Sequence, residues 1–264
     1  MDIPLDVIKI VASYITKHKM KLLEWINIRK LVWSGLSKNP NAIDLLEANQ
    51  DKIDWDELSA NPNAIHLLED NPDGINWSIL SENPNAIHLL EANCDKIDWN
   101  TLSYNPNAIH LLEANPDKID WKSLSYNTNA IHLLENNLDK IEPDALSGNP
   151  NAIHILKANP NYICWEYLSG NSNAIDLLEN NLSEINWGFL CLNSNAIKII
   201  EKNNDLIEWL FLSGNKNAIH ILKVNQDKIN WEYISANPSI FEPEPEKIND
   251  NLLNKAIKLD AILN

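Results

Sequence analysis

Histidine is the residue of this chain whose type and spacing most plainly suggest chemistry. Six histidines recur at intervals of 22 residues or a multiple of 22: His66, His88, His110, His132, His154 and His220. Imidazole nitrogens bind zinc at about 2.0–2.1 Å. Packed helices lie about 8–10 Å apart, so rings on successive helices are too far apart to share an ion. We therefore expect no metal and no cofactor, and predict that His66, His88, His110 and His132 each pair on their own helix with the glutamate three residues later, as His110 with Glu113.

The cysteines and the short motifs give no catalytic constellation. Cys94, Cys164 and Cys191 form no C-x-x-C pair, and their odd number favours free thiols in a reducing, intracellular and cytoplasmic compartment. The sequence holds no glycine-rich phosphate loop, no G-x-S-x-G and no H-E-x-x-H. We predict that the protein is not an enzyme.

The histidine spacing belongs to a 22-residue repeat, clearest from Trp99 to Asp120. Copies begin at Trp33, Trp55, Trp77, Trp99, Trp121, Pro143, Trp165, Trp187, Trp209 and Trp231, and the tenth stops after Pro238. Such a period is typical of solenoids. We count the copies as repeats one to ten and number positions 1 to 22 from the tryptophan.

The sequence of each copy predicts two short helices. Asp or Asn at position 22 is a good N-cap for helix A, which begins at the tryptophan, and the tryptophans are expected in the core. Helix B is predicted to open at the proline of position 8, capped by the asparagine of position 7, and to end at a left-handed asparagine at position 17. Adjacent leucines such as Leu111 and Leu112 argue against the strand of a leucine-rich repeat.

The predicted fold is an all-α solenoid, a superhelical stack of short helix pairs with helical caps at both ends. Residues 1–32 would form the N-terminal cap, with a second helical run over residues 20–32. Residues 33–238 would form the repeats, and residues 239–264 an acidic linker and a C-terminal capping helix. Tandem repeats of this Asn-Pro-Asn-Ala-Ile type resemble those of proteins from giant amoeba-infecting DNA viruses, which would place the chain in a host cytoplasm and implies no catalytic activity.

The N-terminal order Ile-Pro-x-Asp-Val-Ile-x-x-Val-x-Ser-Tyr-Ile resembles the start of an F-box. That resemblance implies an adaptor that docks on the linker subunit of a cullin-type ubiquitin ligase and presents a target to it. The adaptor-binding candidates are Ile3, Pro4, Leu5, Val7, Ile8, Val11, Tyr14 and Ile15. The alternative is a plain cap that seals repeat one.

The charge limits the class of partner. The formal net charge is −16, and each lysine of the row Lys52, Lys96, Lys118, Lys140 and Lys228 follows an aspartate, so we expect protein partners and no nucleic acid. The apolar start, residues 1–15, is too short to span a membrane. A plain repeat scaffold and an acidic mimic of nucleic acid remain alternatives to the adaptor.

Variation between copies marks where a partner would bind. Positions 2, 3 and 6 vary most within helix A, and aromatic residues collect there. The partner-binding candidates are Tyr104, Tyr126, Tyr167, Phe189, Phe211 and Tyr233. The alternative is that these rings pack on the final repeats or on the C-terminal cap.

Overall fold

In the computed structural model, which describes residues 19–244, the repeat folds as a recurring set of three short helices. Helix A occupies Trp33–Lys38, Trp55–Ser59, Trp77–Glu82, Trp99–Leu102, Trp121–Tyr126, Pro143–Gly148, Trp165–Gly170, Trp187–Leu192, Trp209–Leu212 and Trp231–Ser235. Helix B occupies Ile43–Glu47, Ile65–Asp70, Ile87–Ala92, Ile109–Ala114, Ile131–Glu135, Ile153–Ala158, Ile175–Glu179, Ile197–Lys202 and Ile219–Val224. The predicted all-α solenoid is confirmed.

A 3-10 helix over positions 18–20 is the element that the sequence patterns did not predict. It is formed by Ile28–Lys30, Gln50–Lys52, Pro72–Gly74, Cys94–Lys96, Pro116–Lys118, Leu138–Lys140, Pro160–Tyr162, Leu182–Glu184, Asn204–Leu206 and Gln226–Lys228. Two further 3-10 turns are Pro150–Ala152 and Pro238–Ile240.

Buried leucines and alanines hold the helices together. In repeat four, Leu102, Ala108 and Leu112 have no exposed surface. The carboxylate of Asp98 caps helix A by accepting hydrogen bonds from the N–H groups of Asn100 and Thr101, at 3.0 and 3.3 Å. Helices of four to six residues are unstable alone, so their stability depends on the stacking of neighbouring repeats.

Helix B begins at position 11, so the prediction that it opens at position 8 is wrong. The side chain of Asn105 accepts a hydrogen bond from the N–H of Asn107 at 2.9 Å, and the Asn105 carbonyl accepts one from Ala108 at 3.2 Å. These bonds fold positions 8–10 into a turn, and the alanine of position 10 directly precedes the helix.

The left-handed conformation predicted at position 17 is also wrong. Asn115 has φ −134° and ψ 60°, and no residue within 19–244, glycine included, has a positive φ. The Asn115 side chain ends helix B by donating to the Leu111 carbonyl at 2.9 Å. Its own carbonyl accepts from Lys118 at 3.0 Å and so starts the 3-10 helix.

The asparagine of position 7 joins each repeat to the one before it. The Asn127 amide is buried and donates both hydrogens to the preceding copy, to the carbonyls of Ser103 at 3.0 Å and Asn105 at 2.9 Å. The asparagine of position 9 adds a bond at the surface, as from Asn129 to the Pro106 carbonyl at 2.8 Å. Among the described residues, no buried side-chain nitrogen or oxygen lacks a partner.

This ladder closes on itself within the compact unit of residues 25–240. Asn39 of repeat one donates to the carbonyls of Ser235 and Asn237 of repeat ten, at 2.9 and 3.0 Å. Asn41 donates to the Pro238 carbonyl at 2.9 Å. Helix A of repeat one packs on helix A of repeat ten as its neighbours pack on each other. The repeats of this unit therefore form a closed ring of ten copies, in which each junction turns the chain by roughly 36°.

The tenth copy is completed by residues 27–32, which precede repeat one. Lys30 lies 4.9 Å from the Trp231 ring, as Lys52 lies 4.8 Å from Trp33. The N–H of Val32 donates to the Ser235 hydroxyl at 2.9 Å, the bond that position 22 makes to position 5 within other copies. The helical run predicted over residues 20–32 is therefore wrong, because residues 27–32 adopt the conformation of positions 17–22.

A pair of short strands forms the described part of a second compact unit. Strand β1 (Met20–Leu22) pairs antiparallel with strand β2 (Phe241–Pro243), and Lys21 stands opposite Glu242, with a 3.2 Å ion pair. The predicted caps lie largely outside the described residues. The apolar faces of repeats one and ten, which we expected these caps to cover, cover each other.

Candidate functional site: the exposed face of helix A

Positions 2, 3 and 6 of the ten helices A form one surface, which we call the A-face. In a helix these positions lie opposite positions 4 and 5, where Leu102 and Ser103 are fully buried. At most junctions, helices A of neighbouring copies pack more closely on each other than helices B do. In a closed ring the more closely spaced elements lie on the inner side, so the A-face lines the inside of the repeat ring.

Aromatic rings follow one another along the A-face from repeat four to repeat eight. The ring centroids of Tyr104 and Tyr126 lie 5.4 Å apart and are stacked, and those of Tyr126 and Tyr167 lie 6.2 Å apart edge to face. Tyr126 reaches Tyr167 across repeat six because position 6 is glycine there. A Cβ on Gly148 would lie 2.9 Å from the Tyr126 ring. Phe189 continues the row at 5.4 Å from Tyr167.

A second aromatic pair lies on repeats nine and ten, where the centroids of Phe211 and Tyr233 are 6.0 Å apart. Tyr104 and Tyr233 are 38% and 37% exposed, and the other four predicted rings are half-buried. The structure thus brings the predicted aromatic residues together on one face. They pack on one another across the junctions and keep edges open to solvent.

Two tyrosines of this row, Tyr104 and Tyr126, have raised pKa values and stay neutral. Burial raises the pKa of the Tyr104 hydroxyl, and burial together with neighbouring Tyr167 raises that of Tyr126 further above its ordinary value. Neutral phenols offer a partner apolar ring surface and a hydroxyl, without a charge.

Two exposed leucines extend this surface and were not singled out from the sequence. Leu192 at position 6 of repeat eight and Leu210 at position 2 of repeat nine are each 42% exposed. The signal for both was present, since each occupies a variable position of helix A. We name Tyr167, Phe189, Leu192, Leu210, Phe211 and Tyr233 the apolar arc.

The histidines pair between repeats, so the predicted pairing within one helix is wrong. His110 Nε2 lies 3.0 Å from the carboxylate of Glu91 in the preceding copy, and the five equivalent pairs among residues 19–244 span 2.8–2.9 Å. Stacking places position 12 of helix B beside position 15 of the preceding copy. Where position 12 is Asp176, the matching position 15 is Lys157, so opposite charges are kept at that junction.

The tryptophans are half-buried, not fully enclosed as expected for core residues. In the copies that have lysine at position 20, that lysine covers one face of the ring, with Lys118 4.2 Å from the Trp99 ring centroid. The equivalent distances elsewhere in the described ring are 4.4–5.7 Å. The lysine row therefore stabilises the fold of the copies that contain it.

The cysteines differ in access. Cys94 is exposed and Cys191 is buried, and burial raises the pKa of both the Cys164 and the Cys191 thiols. Cys191 takes the place of the position 5 serine, and the N–H of Glu208 donates to its sulfur at 3.4 Å.

The adaptor-binding candidates Ile3, Pro4, Leu5, Val7, Ile8, Val11, Tyr14 and Ile15 lie outside the described residues. In the part of the chain that the structure describes, no helix is long and apolar enough to cross a membrane.

The model of a family described as periplasmic copper-binding protein (NosD) matches residues 19–189, about two thirds of the chain. The matched stretch contains repeats one to seven and the start of repeat eight. No curated protein and no solved structure matches the chain significantly.

The described residues do not fit the copper site that the family description suggests. Copper is held by clusters of histidine, cysteine and methionine side chains. Among residues 19–244, no group of three or more His, Cys, Asp or Glu side chains converges as a metal site. The histidines are divided into separate pairs with glutamate, as for His110 and Glu91.

Proposed function

We propose that this chain, which belongs to the NosD family by that match, is a non-catalytic protein–protein interaction module whose A-face binds a protein partner. One observation carries the proposal: the copies share most of their buried residues, and the positions of helix A that differ most between them lie together on one largely exposed face of the closed ring. The proposed location is cytoplasmic, which the free cysteines support.

The contacts explain why some positions of the repeat are uniform between copies while the A-face positions vary. The uniform positions are occupied by the same few residue types because each makes a fixed contact, such as the Asn127 bonds to Ser103 and Asn105. The A-face is free of that requirement and gathers tyrosine and phenylalanine, which are enriched at binding surfaces. Variation placed on a rigid frame is typical of repeat proteins that bind other proteins.

A peptide selection tests this proposal. The full chain is immobilised and challenged with a phage-displayed library of random 16-residue peptides. We expect the selected peptides to converge on a shared sequence pattern and to lose binding when Tyr104 or Tyr233 is changed to serine. The matched control is His110→Ala, which alters an exposed residue of helix B. Selected peptides that show no common pattern, or that bind the serine variants unchanged, would count against the proposal.

A narrower form of the proposal makes the chain a substrate-recruiting adaptor of a cullin-type ubiquitin ligase. The F-box-like order of residues 3–15 supports it. Purified chain is expected to bind the linker subunit of such a ligase, and Tyr14→Ala is expected to weaken that binding. If the intact chain does not bind the linker subunit, the adaptor role is lost and the plain scaffold remains.

A further inference from the structure

The apolar arc differs from the rest of the A-face in the size and polarity of its side chains. Over repeats seven to ten, positions 2, 3 and 6 hold six large apolar residues, whereas over repeats one to six they are mostly small, polar or charged. Within the arc, Leu192, Leu210 and Tyr233 are exposed by 42%, 42% and 37%. Exposed apolar side chains gathered in this way mark an interaction surface.

Glycines let the apolar side chains of neighbouring helices A approach each other closely. A Cβ on Gly188 would lie 3.0 Å from the Phe211 ring, and one on Gly214 would lie 3.5 Å from the Tyr233 ring and 3.9 Å from Leu192. The apolar side chains of the arc therefore lie directly against the helix backbone of the neighbouring copy and form one continuous surface.

Acidic residues stand at both ends of the arc. Glu166 precedes Tyr167 in repeat seven, Glu232 precedes Tyr233 in repeat ten, and both are exposed. Neither carboxylate forms an ion pair within residues 19–244. The A-face of repeats seven to ten contains no lysine or arginine. Charge complementarity therefore favours a partner with basic residues on either side of an apolar centre.

The length of the arc sets the length of that partner segment. Three junctions separate repeat seven from repeat ten, and at about 8–10 Å per junction they span about 24–30 Å. An extended segment of about eight residues covers this distance and can follow the curve of the ring.

We infer that the apolar arc is the docking site for a protein segment that carries leucine-like or aromatic side chains between lysines or arginines. This inference rests on the proposed interaction function and adds the chemistry of the partner and the part of the ring that binds it.

Three labelled 18-residue peptides test the inference by fluorescence anisotropy on the full chain at about 0.15 M salt, where long-range charge attraction is screened. In the first peptide, leucine side chains and lysine side chains occupy alternating faces. The second peptide has glutamate in place of the lysines of the first, and the third has serine in place of its leucines. We expect the first peptide to bind at least tenfold more tightly than either of the others. Equal binding of the first and third peptides would reduce the interaction to net charge and overturn the inference.

Variants locate the site. Two variants, Leu210→Ser and the double variant Glu166→Gln/Glu232→Gln, are each expected to weaken binding of the first peptide, which contains leucine and lysine, at least fivefold. Leu182→Ser is the matched control, since Leu182 is 54% exposed in the 3-10 helix of repeat seven, away from the A-face. A loss of binding as large in the control as in Leu210→Ser would contradict the assignment of the site.

Two results would assign the arc to another occupant. Displacement of the bound probe by a synthetic peptide of residues 247–263 would indicate the chain's own C-terminal segment. A concentration-dependent dimer that Leu210→Ser abolishes would indicate a second copy. Failure of this inference can be told apart from failure of the proposed interaction function. If the peptides selected by the A-face lack basic residues, this inference alone is refuted. If the selected peptides have no common sequence pattern, both proposals are refuted.

Discussion

At the scale of single residues, the asparagine of position 7 makes more hydrogen bonds between copies than any other side chain. Asn127 has 1% exposure, donates two hydrogen bonds to the preceding copy and accepts one from its own turn, from the N–H of Asn129 at 3.0 Å. An amide is suited to this position because it donates two hydrogens and accepts on the other side. Serine or aspartate cannot meet all three partners.

Asn127→Ala is expected to lower the free energy of unfolding by about 2–4 kcal/mol, since it leaves the buried carbonyls of Ser103 and Asn105 without a donor. Urea unfolding followed by circular dichroism measures this change. Asn129→Ala is the control, because Asn129 makes a comparable bond near solvent, and it is expected to cost about 1 kcal/mol or less. Equal losses of unfolding free energy in the two variants would show that the burial of the position 7 hydrogen bonds adds no stability.

The histidine–glutamate pairs give a second prediction at this scale. His110→Asp places a carboxylate beside Glu91 and is expected to destabilise the ring by about 0.5–1 kcal/mol at neutral pH, as for other exposed pairs. Adding Glu91→Lys recreates the combination found at Lys157 and Asp176, and is expected to recover most of that loss. A double-mutant cycle in urea checks the coupling. A double variant no more stable than His110→Asp would refute the pairing between copies.

At the scale of the elements, the local patterns of the sequence were enough to place helix A. Its N-caps and its buried Leu102 and equivalents follow directly from residue type and spacing. The start of helix B was misplaced, since the turn at positions 8–10 depends on the Asn105 side chain accepting from Asn107, and proline at position 8 suits a turn as well as a first helical turn. The 3-10 helix was missed because three residues are too few to show a period.

Gly35 lies where helix A of repeat one packs on helix A of repeat ten, and no side chain fits beside it. A Cβ on Gly35 would lie 2.7 Å from the Ser235 Cβ and 2.9 Å from the Glu232 carbonyl oxygen. Other copies carry residues as large as tyrosine at this position, so the need for glycine is specific to this junction.

Gly35→Ala is therefore expected to destabilise the protein by about 1–3 kcal/mol through overpacking, against the roughly 0.5–1 kcal/mol gain that glycine to alanine ordinarily gives in a helix. Gly170→Ala is the control, because its Cβ would meet the Phe189 ring at 3.6 Å, an ordinary contact. Thermal unfolding compares the two. A Gly35→Ala protein as stable as Gly170→Ala would mean that this junction is looser than described.

At the scale of the whole molecule, the repeat pattern alone does not determine whether the stack of copies closes into a ring. A period shows that copies stack, and it leaves the turn per junction undetermined, so the same sequence pattern is compatible with an open or a closed stack. One signal was available. Residues 27–32 read N-I-R-K-L-V, which aligns with positions 17–22 of a copy such as N-Q-D-K-I-D at residues 49–54. The prediction of one helical run over residues 20–32 did not use this alignment.

Closure also bears on function. In an open stack the first and last apolar faces need covers, whereas in this unit repeats one and ten cover each other through Asn39 and Asn41. The A-face then becomes a continuous inner surface on which the apolar arc and the polar repeats are held at fixed distances.

The distance between repeats one and ten tests that closure most directly. Spin labels are placed at position 2 of these copies, on Ser34→Cys and Glu232→Cys, with Cys94, Cys164 and Cys191 replaced by serine. The control pair is Ser34→Cys and Asp56→Cys, the same position in repeats one and two. A closed ring predicts that the two distance distributions coincide, at about one helix spacing of 8–10 Å plus the length of the labels. A distance between repeats one and ten several times longer than that of the control pair would contradict the closed ring.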